Sequence, residues 1–222
     1  MNKYKILLIT CLFIFIILIS KTYAATNNLT LLGKTIYLDP GHGGIDSGTT
    51  YKKIYEKDIN LILCKKLKTS LESIGATVYL TRETDKDLAL NNVKNRKRSD
   101  LINRAYLINK TKPDLYISIH LNYLSNSKYK GLQIFYNKKN KENEKIALAL
   151  TKYIKEKTYN VRTPKFNNTY YMYRNITEPG VLIEVGFLSN PDDRYRLTHE
   201  EYQDKLISNL TYSINKYFEE KR

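Results

Sequence analysis

The chain has 222 residues and a formal net charge of +15, which favours anionic partners such as nucleic acid or an anionic cell-wall polymer. Biased codon usage and a solvated surface are the alternative explanation, because composition reports on solubility and association rather than on function. Cys11 lies in an apolar stretch near the amino terminus, so Cys64 stands alone in the rest of the chain and an internal disulfide there is excluded.

The amino terminus has the features of a secretory signal. A basic start precedes 14 apolar residues at 6–19 and a small-residue segment that ends at Ala24. This run is shorter than the roughly 20 residues that span a bilayer, so cleavage near Ala24 is expected and an uncleaved anchor is the alternative. We predict a signal peptide over residues 1–24 and an exported protein, which disfavours a nucleic-acid partner. Removing three lysines and 24 residues leaves 198 residues with a charge of +12, enough for one domain at 25–222.

Hydrophobic periodicity and turn residues predict strands that alternate with helices. In chain order, the first half contains a strand over 31–39, a helix from Glu56 to Gly75, a strand over 76–81, a loop over 82–98 and a helix capped by Ser99. The second half contains a strand that ends at His120, an edge strand over 131–136, a helix over 142–157, a strand that ends at Glu184 and a helix over 200–218. This alternation predicts a single-domain α/β fold with a mostly parallel, twisted sheet and helices on both faces.

Four chemically reactive side chains lie at the ends of predicted elements. His42 follows the first strand in a glycine-rich turn, His120 and Glu184 end two later strands, and Glu56 begins the first helix. The carboxyl ends of parallel strands form the edge where ligands bind in such sheets. Two imidazoles and one carboxylate are a known ligand set for catalytic zinc, which keeps a fourth position for water. We predict that His42, Glu56 and His120 bind Zn²⁺ and that Glu184 is the general base.

Each of these residues also has a simpler explanation. A histidine in a turn or at a strand end is more often a surface or hydrogen-bonding residue. Glu56 interacts favourably with the positive end of its helix dipole, and Glu184 suits a structural ion pair. The joint placement of two histidines and two carboxylates at one predicted edge is hard to explain by core packing.

Other candidates carry weaker signals. His199, at the start of the last helix, is expected to be exposed, and Cys64 is expected to be a small buried apolar group. Tyr170, Tyr171 and Tyr173 are candidates for the lining of a sugar or peptide groove, although the chain holds 20 tyrosines.

Four motifs in the chain resemble those of the zinc-dependent N-acetylmuramoyl-L-alanine amidases with the amidase-3 catalytic domain. They occupy residues 38–44, 56–58, 118–122 and 182–190, and the resemblance extends over about residues 33–218. The resemblance implies metal binding by His42, Glu56 and His120, catalysis by Glu184 and a substrate-binding role for Asn122.

The resemblance also implies a reaction and a biological setting. Members of this family cleave the amide between the lactyl group of N-acetylmuramic acid and L-alanine in peptidoglycan. Within the family, the chain most resembles the sporulation amidases, both in the stretch 95–104 and in the expected lack of a wall-binding module. Those enzymes strip peptides from the cortex so that a muramic-acid deacetylase can complete muramic-δ-lactam. Such enzymes act in the cell wall or the forespore intermembrane space, some with an accessory lipoprotein.

Two kinds of alternative function stay open from the sequence. The first is another zinc-dependent cell-wall enzyme on the same scaffold, such as a peptidase or a deacetylase. The second is a catalytically inactive wall-binding protein, which is disfavoured because all four proposed positions hold chemically competent residues.

Overall fold

The computed structural model describes residues 3–5, 9–15, 29–158 and 160–221. The predicted signal peptide over 1–24 lies largely outside these described ranges. Within them, no helix combines the length and the apolarity needed to cross a membrane. The division into a leader and one catalytic domain stays a prediction.

The centre of the fold is a β-sheet. The strands of the chain are β1 (Thr35–Pro40), β2 (Thr50–Tyr51), β3 (Ile54–Tyr55), β4 (Thr77–Leu80), β5 (Leu115–Asn122), β6 (Gln133–Tyr136), β7 (Lys165–Phe166) and β8 (Gly180–Phe187). Six of the strands in the described ranges form one sheet in the order β4-β1-β5-β8-β6-β7, and β2 pairs with β3 in a separate hairpin. Neighbouring strands of the large sheet are parallel except for β6 and β8. The predicted mostly parallel sheet is therefore confirmed.

Helices cover both faces of this sheet. They are α1 (Glu56–Glu72), α2 (Arg96–Thr111), α3 (Asn143–Lys157), α4 (Pro191–Leu197) and α5 (Glu200–Glu220), with a 3₁₀ turn at Met172–Arg174. Along β1, Ile36 and Leu38 belong to the apolar cluster that includes residues of α1, α3 and α5, whereas Tyr37 belongs to the cluster that includes residues of α2 and the 3₁₀ turn. Successive strand side chains point to opposite faces, so a sheet covered on both sides has continuously apolar strands. Each fully buried Ile or Leu contributes roughly 1.5–3 kcal/mol.

The start of α2 differs from the prediction. Ser99 is not the cap: the helix begins at Arg96, and the Oδ1 of Asn95 accepts a hydrogen bond from the backbone N–H of Arg98 at 2.9 Å. The hydroxyl of Ser99 instead accepts a hydrogen bond from the N–H of Leu90. Asparagine and serine are comparable helix caps, so the sequence pattern did not separate the two positions.

Two predictions about strands were also wrong. The strand β6 is not at the edge, because Tyr136 pairs with Phe166 of β7, which is too short to leave a periodic pattern. Glu184 does not end β8, which continues to Phe187. His120 of β5 pairs with Glu184 and Asn122 with Phe187, so β8 carries an extra residue, a β-bulge, directly after Glu184. Bulges of this kind occur frequently next to active sites.

The short helix α4 was not predicted. Pro191 occupies its first position, and the Oδ1 of Asn190 accepts a hydrogen bond from the N–H of Asp193 at 3.0 Å. A proline at the first helical position after an asparagine cap is a standard start signal. The helix has seven residues, too few to show a hydrophobic period.

Candidate active site

Three of the predicted site residues meet at the carboxyl edge of β1 and β5. One ligand atom from each of His42, Glu56 and His120 lies within 4.8 Å of the others. The Oε1 of Glu56 is 3.2 Å from the Nε2 of His42 and 3.0 Å from the Nδ1 of His120. The two imidazole rings are nearly perpendicular, with centroids 4.9 Å apart. The fold thus brings together residues that are far apart in the sequence.

Two glycines let these side chains approach one another. A Cβ atom on Gly41 would overlap the ring of His120, so only glycine lets the chain pass this close to the imidazole. A Cβ atom on Gly48, which has a φ of +64°, would lie 2.7 Å from the Oε2 of Glu56 and 2.6 Å from the His42 ring. We call residues 40–48 the His42 loop.

Glu56 is held at the start of α1 by backbone donors. Its Oε1 accepts a hydrogen bond from the N–H of Leu121 at 3.0 Å, and its Oε2 accepts one from the N–H of Thr49 at 2.8 Å. Burial by itself would raise the pKa of Glu56, but the hydrogen bonds and charges of His120 and His42 outweigh it and hold the pKa well below its usual range. The carboxylate therefore stays ionised and suits a cation ligand.

Asp46 contacts the far side of the His42 ring, a residue that the sequence analysis did not single out. Its Oδ2 lies 2.9 Å from the Nδ1 of His42, which leaves the Nε2 directed at Glu56. Burial would lower the pKa of His42, but the hydrogen bonds to Asp46 and Glu56 outweigh it and raise the pKa to about 9. A metal ion that binds this imidazole must displace its proton. The only sequence signal for Asp46 is its place in the glycine-rich turn, four residues after His42.

Glu184 lies beside the cluster on β8, in register with His120 of β5. The residue is 7% exposed, and its Oε2 has no hydrogen-bond partner within the described part of the chain. Burial, helped by the negative charge of Glu56 and partly offset by His42, raises the pKa of Glu184 to about 8. This carboxyl group can take up or release a proton near neutral pH.

A cavity of about 550 Å³ opens over these side chains. Asn122, at the end of β5, lines it together with Tyr170, Tyr171 and Tyr173. The remaining candidates lie elsewhere: His199 is exposed as predicted, and Cys64 is fully buried in the main apolar core, also as predicted. The cavity therefore combines the ionisable cluster with an aromatic wall large enough for a sugar or peptide.

An open α/β sheet with ionisable side chains converging at its carboxyl edge, beneath a cavity of about 550 Å³, is the arrangement found in α/β enzymes. The model of the N-acetylmuramoyl-L-alanine amidase family (Amidase_3) matches residues 36–216. The chain belongs to this family.

Individual relatives agree with that assignment. The germination-specific N-acetylmuramoyl-L-alanine amidase of Bacillus subtilis (strain 168) is 44% identical over 198 residues, which cover 87% of this chain and 84% of that protein. The probable cell wall amidase LytH of Staphylococcus aureus is 33% identical over 192 residues, 85% of this chain and 60% of that protein.

Solved structures show the same architecture. The CwlD amidase from Clostridioides difficile, solved in complex with the GerS lipoprotein, matches with a TM-score of 0.76 and 36% identity over 84% of this chain and 99% of that one. The catalytic domain of CwlV, an N-acetylmuramoyl-L-alanine amidase from Paenibacillus polymyxa var. colistinus, matches with a TM-score of 0.73 and 28% identity over 84% and 98% of the two chains.

Proposed function

We propose that this protein is a zinc-dependent N-acetylmuramoyl-L-alanine amidase that hydrolyses the amide between N-acetylmuramic acid and L-alanine in peptidoglycan. The observation that carries the proposal is the Glu184 carboxyl group, which is buried beside His42, Glu56 and His120 with one oxygen unpartnered among the described residues. Membership of the amidase family supports the reaction class.

The three clustered side chains fit a zinc ion. Two imidazoles and one carboxylate are ligands that catalytic zinc accepts. Zinc bonds of about 2.0–2.2 Å in a tetrahedron place neighbouring ligand atoms roughly 3.3 Å apart. The observed separations of 3.0 and 3.2 Å between Glu56 and the two histidines are close to that spacing. We therefore assign Zn²⁺ to His42, Glu56 and His120.

Each side chain then has a defined task. Zinc held by the cluster would supply Lewis-acid activation of water and of the scissile carbonyl. Glu184 accepts the proton of the attacking water and returns it to the leaving amide nitrogen, a task that its pKa near 8 suits. Asp46 keeps the His42 ring oriented through Nδ1, so that the lone pair of Nε2 remains available.

The cavity wall is the proposed substrate surface. Asn122 lies at the end of β5 and lines the cavity, and we assign it to the peptide or lactyl part of the substrate. Tyr170, Tyr171 and Tyr173 offer flat apolar surfaces with polar tips, which suit a glycan.

The relatives support a place in spore cortex maturation. One relative is described as germination-specific, and the C. difficile structure is a complex with a lipoprotein. We propose that residues 1–24 direct export to the cell wall or the forespore intermembrane space. There, the catalytic domain at 25–222 removes stem peptides ahead of a muramic-acid deacetylase, with an accessory lipoprotein as a partner.

Product analysis on purified peptidoglycan tests the reaction. We expect new amino-terminal L-alanine and peptide-free muramic acid, and we expect a chelator to abolish both and added zinc to restore them. New reducing ends would indicate a glycosidase, cleavage within the stem peptide would indicate a peptidase, and released acetate would indicate a deacetylase. No product with stoichiometric zinc bound would indicate an inactive wall-binding protein.

A further inference from the structure

Two buried arginines converge on the backbone that carries His42. Arg82 and Arg104 are each 1% exposed, although arginine is almost never fully buried unless it is paired. We call them the arginine pair. Arg104 forms ion pairs with the buried Asp39 and Asp100, whereas Arg82 has no such partner in the described part of the chain, so the burial of Arg82 requires a separate explanation.

The arginine pair binds three consecutive carbonyl groups at the start of the His42 loop. Arg104 donates from Nη1 to the carbonyl of Pro40 at 2.7 Å and from Nη2 to the carbonyl of His42 at 2.5 Å. Arg82 donates from Nε to the same Pro40 carbonyl at 3.0 Å and from Nη2 to the carbonyl of Gly41 at 3.1 Å. The orientation of every peptide plane between residues 40 and 42 is therefore held by a guanidinium group.

Arg82 also connects this loop to the helix that carries Glu56. Its Nη2 donates to the carbonyl of Lys57, the residue after Glu56, at 2.7 Å. One planar guanidinium thus contacts the backbone beside two of the three clustered side chains. Because its donors have fixed relative directions, it also fixes the distance between the two segments.

A gain in folding stability does not explain why Arg82 is buried beside Arg104. Within the described part of the chain, Arg82 has no carboxylate at ion-pair distance, and it shares the Pro40 carbonyl with a second cation, Arg104. Burial, together with repulsion from Arg104, lowers the pKa of Arg82. Replacing buried charges with apolar groups is often neutral or stabilising, so stability alone is a poor reason to keep such a residue.

The loop conformation explains what the hydrogen bonds accomplish. His42 has a φ of +62°, in the left-handed region that is unfavourable for a residue with a side chain, because the Cβ atom crowds the following carbonyl oxygen. Such a conformation persists only where the surroundings impose it. The bonds from the arginine pair to the carbonyls on both sides of Gly41 and to that of His42 itself supply this constraint.

We propose that Arg82 and Arg104 are positioning residues for the metal centre. They hold the His42 loop and the first turn of α1 so that His42 and Glu56 keep the separation that one shared cation requires. The inference rests on the proposed function, because it takes His42 and Glu56 to be ligands of one metal ion.

The sharper variant is at Arg82. In Arg82→Met, the carbonyls of Pro40 and Gly41 keep other donors, Arg104 and Asn60, so the fold is expected to survive. Replacing Arg104 removes the partner of two buried acids, Asp39 and Asp100, and is more disruptive. A control that destabilises the core is Ile108→Ala on α2, because Ile108 is buried in an apolar cluster that contains no residue of the His42 loop.

The first measurement is zinc affinity of the full chain, by competition with a chromophoric chelator. We expect Arg82→Met to bind zinc about 10- to 100-fold more weakly, the range seen when residues supporting a metal ligand are replaced. Arg82→Lys should recover part of this loss, and the visible ligand-field spectrum of bound cobalt(II) should change in Arg82→Met but not in Ile108→Ala. Equal affinities and spectra in Arg82→Met and Ile108→Ala would overturn the inference.

The second measurement is hydrogen exchange in the metal-free protein. The N–H of Gly41 bonds to Ile119 at 3.0 Å and the N–H of Gly43 bonds to Asp46 at 2.9 Å, so both amides report on the loop. We expect both to exchange faster in Arg82→Met than in wild type or Ile108→Ala, and unchanged exchange would overturn the inference. A wild-type chain that binds neither zinc nor cobalt would contradict the proposed function, whereas the exchange data would still decide whether Arg82 holds the loop.

Discussion

Two buried carboxyl groups on the same sheet, Asp39 of β1 and Glu184 of β8, have opposite surroundings. Asp39 accepts hydrogen bonds on both oxygens, from Thr81 at 2.6 Å and Arg104 at 2.8 Å on Oδ1 and from Ser118 at 2.6 Å on Oδ2. Glu184 has an oxygen without any partner in the described ranges. The two residues are similarly buried, so their difference lies in the partners that the fold provides.

The difference in partners reverses the effect of burial on acidity. Burial would raise the pKa of Asp39, but Arg104 and the hydroxyls of Ser118 and Thr81 outweigh it and lower the pKa to about 2. At Glu184, burial and the charge of Glu56 are offset only in part by His42, and the pKa rises to about 8. Asp39 is thus a fixed charge that organises the core of the site, and Glu184 is a group able to exchange a proton.

The largest expected effect is on turnover, and it tests whether Glu184 transfers a proton in the reaction. Glu184→Gln should lower kcat for alanine release at least about 100-fold, because proton transfer by a positioned base contributes roughly 10²–10⁴-fold. Zinc content should remain stoichiometric, because Glu184 is not one of the three proposed zinc ligands. Glu178→Gln, a partly exposed position in the loop before β8, is the control and should keep full activity. Loss of zinc from Glu184→Gln would show that Glu184 is a ligand instead.

The next effect is on stability and concerns Asp39. Asp39→Asn leaves Arg104 buried with one ionic partner fewer, and breaking a buried ion pair costs about 3–5 kcal/mol. Urea unfolding should show this decrease in the free energy of unfolding. Asp58→Asn, exposed in the first turn of α1, should change it by no more than about 1 kcal/mol, the size of a surface charge's interaction with the helix dipole. A similarly small change in Asp39→Asn would contradict the inference that the Asp39 carboxylate stabilises the fold through its pairing with Arg104.

At Glu184, unlike at Asp39, replacing the carboxyl group with an amide should raise the free energy of unfolding, and the size of this gain should depend on pH. The unfolded chain releases the Glu184 proton near pH 4.5, whereas the folded, metal-free chain keeps it to about pH 8, so folding stability falls as pH rises between these values. At about 1.4 kcal/mol per pH unit, the penalty is roughly 3 kcal/mol at pH 7. Glu184→Gln removes it, so the metal-free variant should be more stable than wild type at pH 7–8.

Urea unfolding in the presence of chelator, at several pH values, checks this prediction. The stability difference between Glu184→Gln and wild type should shrink as the pH falls and disappear below pH 4.5, where the carboxyl group becomes protonated in the unfolded state as well. A difference that does not depend on pH would mean that the variant acts through packing and not through the proton of Glu184.

The sequence was sufficient to predict that the four proposed site residues lie at one edge of the sheet. His42, His120 and Glu184 follow or lie within apolar strand patterns, and Glu56 begins an amphipathic helix, so elementary sheet geometry places them at one edge. Glu184 was misplaced only in its distance from the strand end, because a β-bulge has no sequence signature of its own.

The residues that support the proposed site, Arg82 and Asp46, could not be predicted from the sequence in the same way. Arg82 lies in a stretch predicted as a loop, and its hydrogen bonds go to backbone carbonyls, which every residue has and which no side-chain pattern reveals. Asp46 contacts His42 only because the loop between them turns back through left-handed glycines. Contacts between a side chain and a distant backbone depend on the completed fold, so they emerged only from the structure.

The smallest expected effect is on KM, and it tests whether a hydrogen bond to a tyrosine that lines the cavity affects substrate binding. The hydroxyl of Tyr171 accepts a hydrogen bond from the Nε of Arg98 at 2.8 Å, and the Arg98 guanidinium lies 5.4 Å from the centre of the ring. Tyr171→Phe removes the hydrogen bond and keeps the ring, a loss of about 0.5–1.5 kcal/mol at most for a partly exposed pair. The Tyr171 ring should then be held less firmly in the cavity wall, and KM should rise about two- to fivefold with kcat unchanged.

Steady-state kinetics on soluble muropeptides measure this change. Tyr106→Phe, an exposed tyrosine on the same helix as Arg98, is the matched control and should leave KM unchanged. Equal KM values in the two variants would show that the hydroxyl of Tyr171 does not hold the wall. An equal fall in kcat and kcat/KM would instead indicate that the Tyr171 hydroxyl makes an interaction present only in the transition state, as we propose for Glu184.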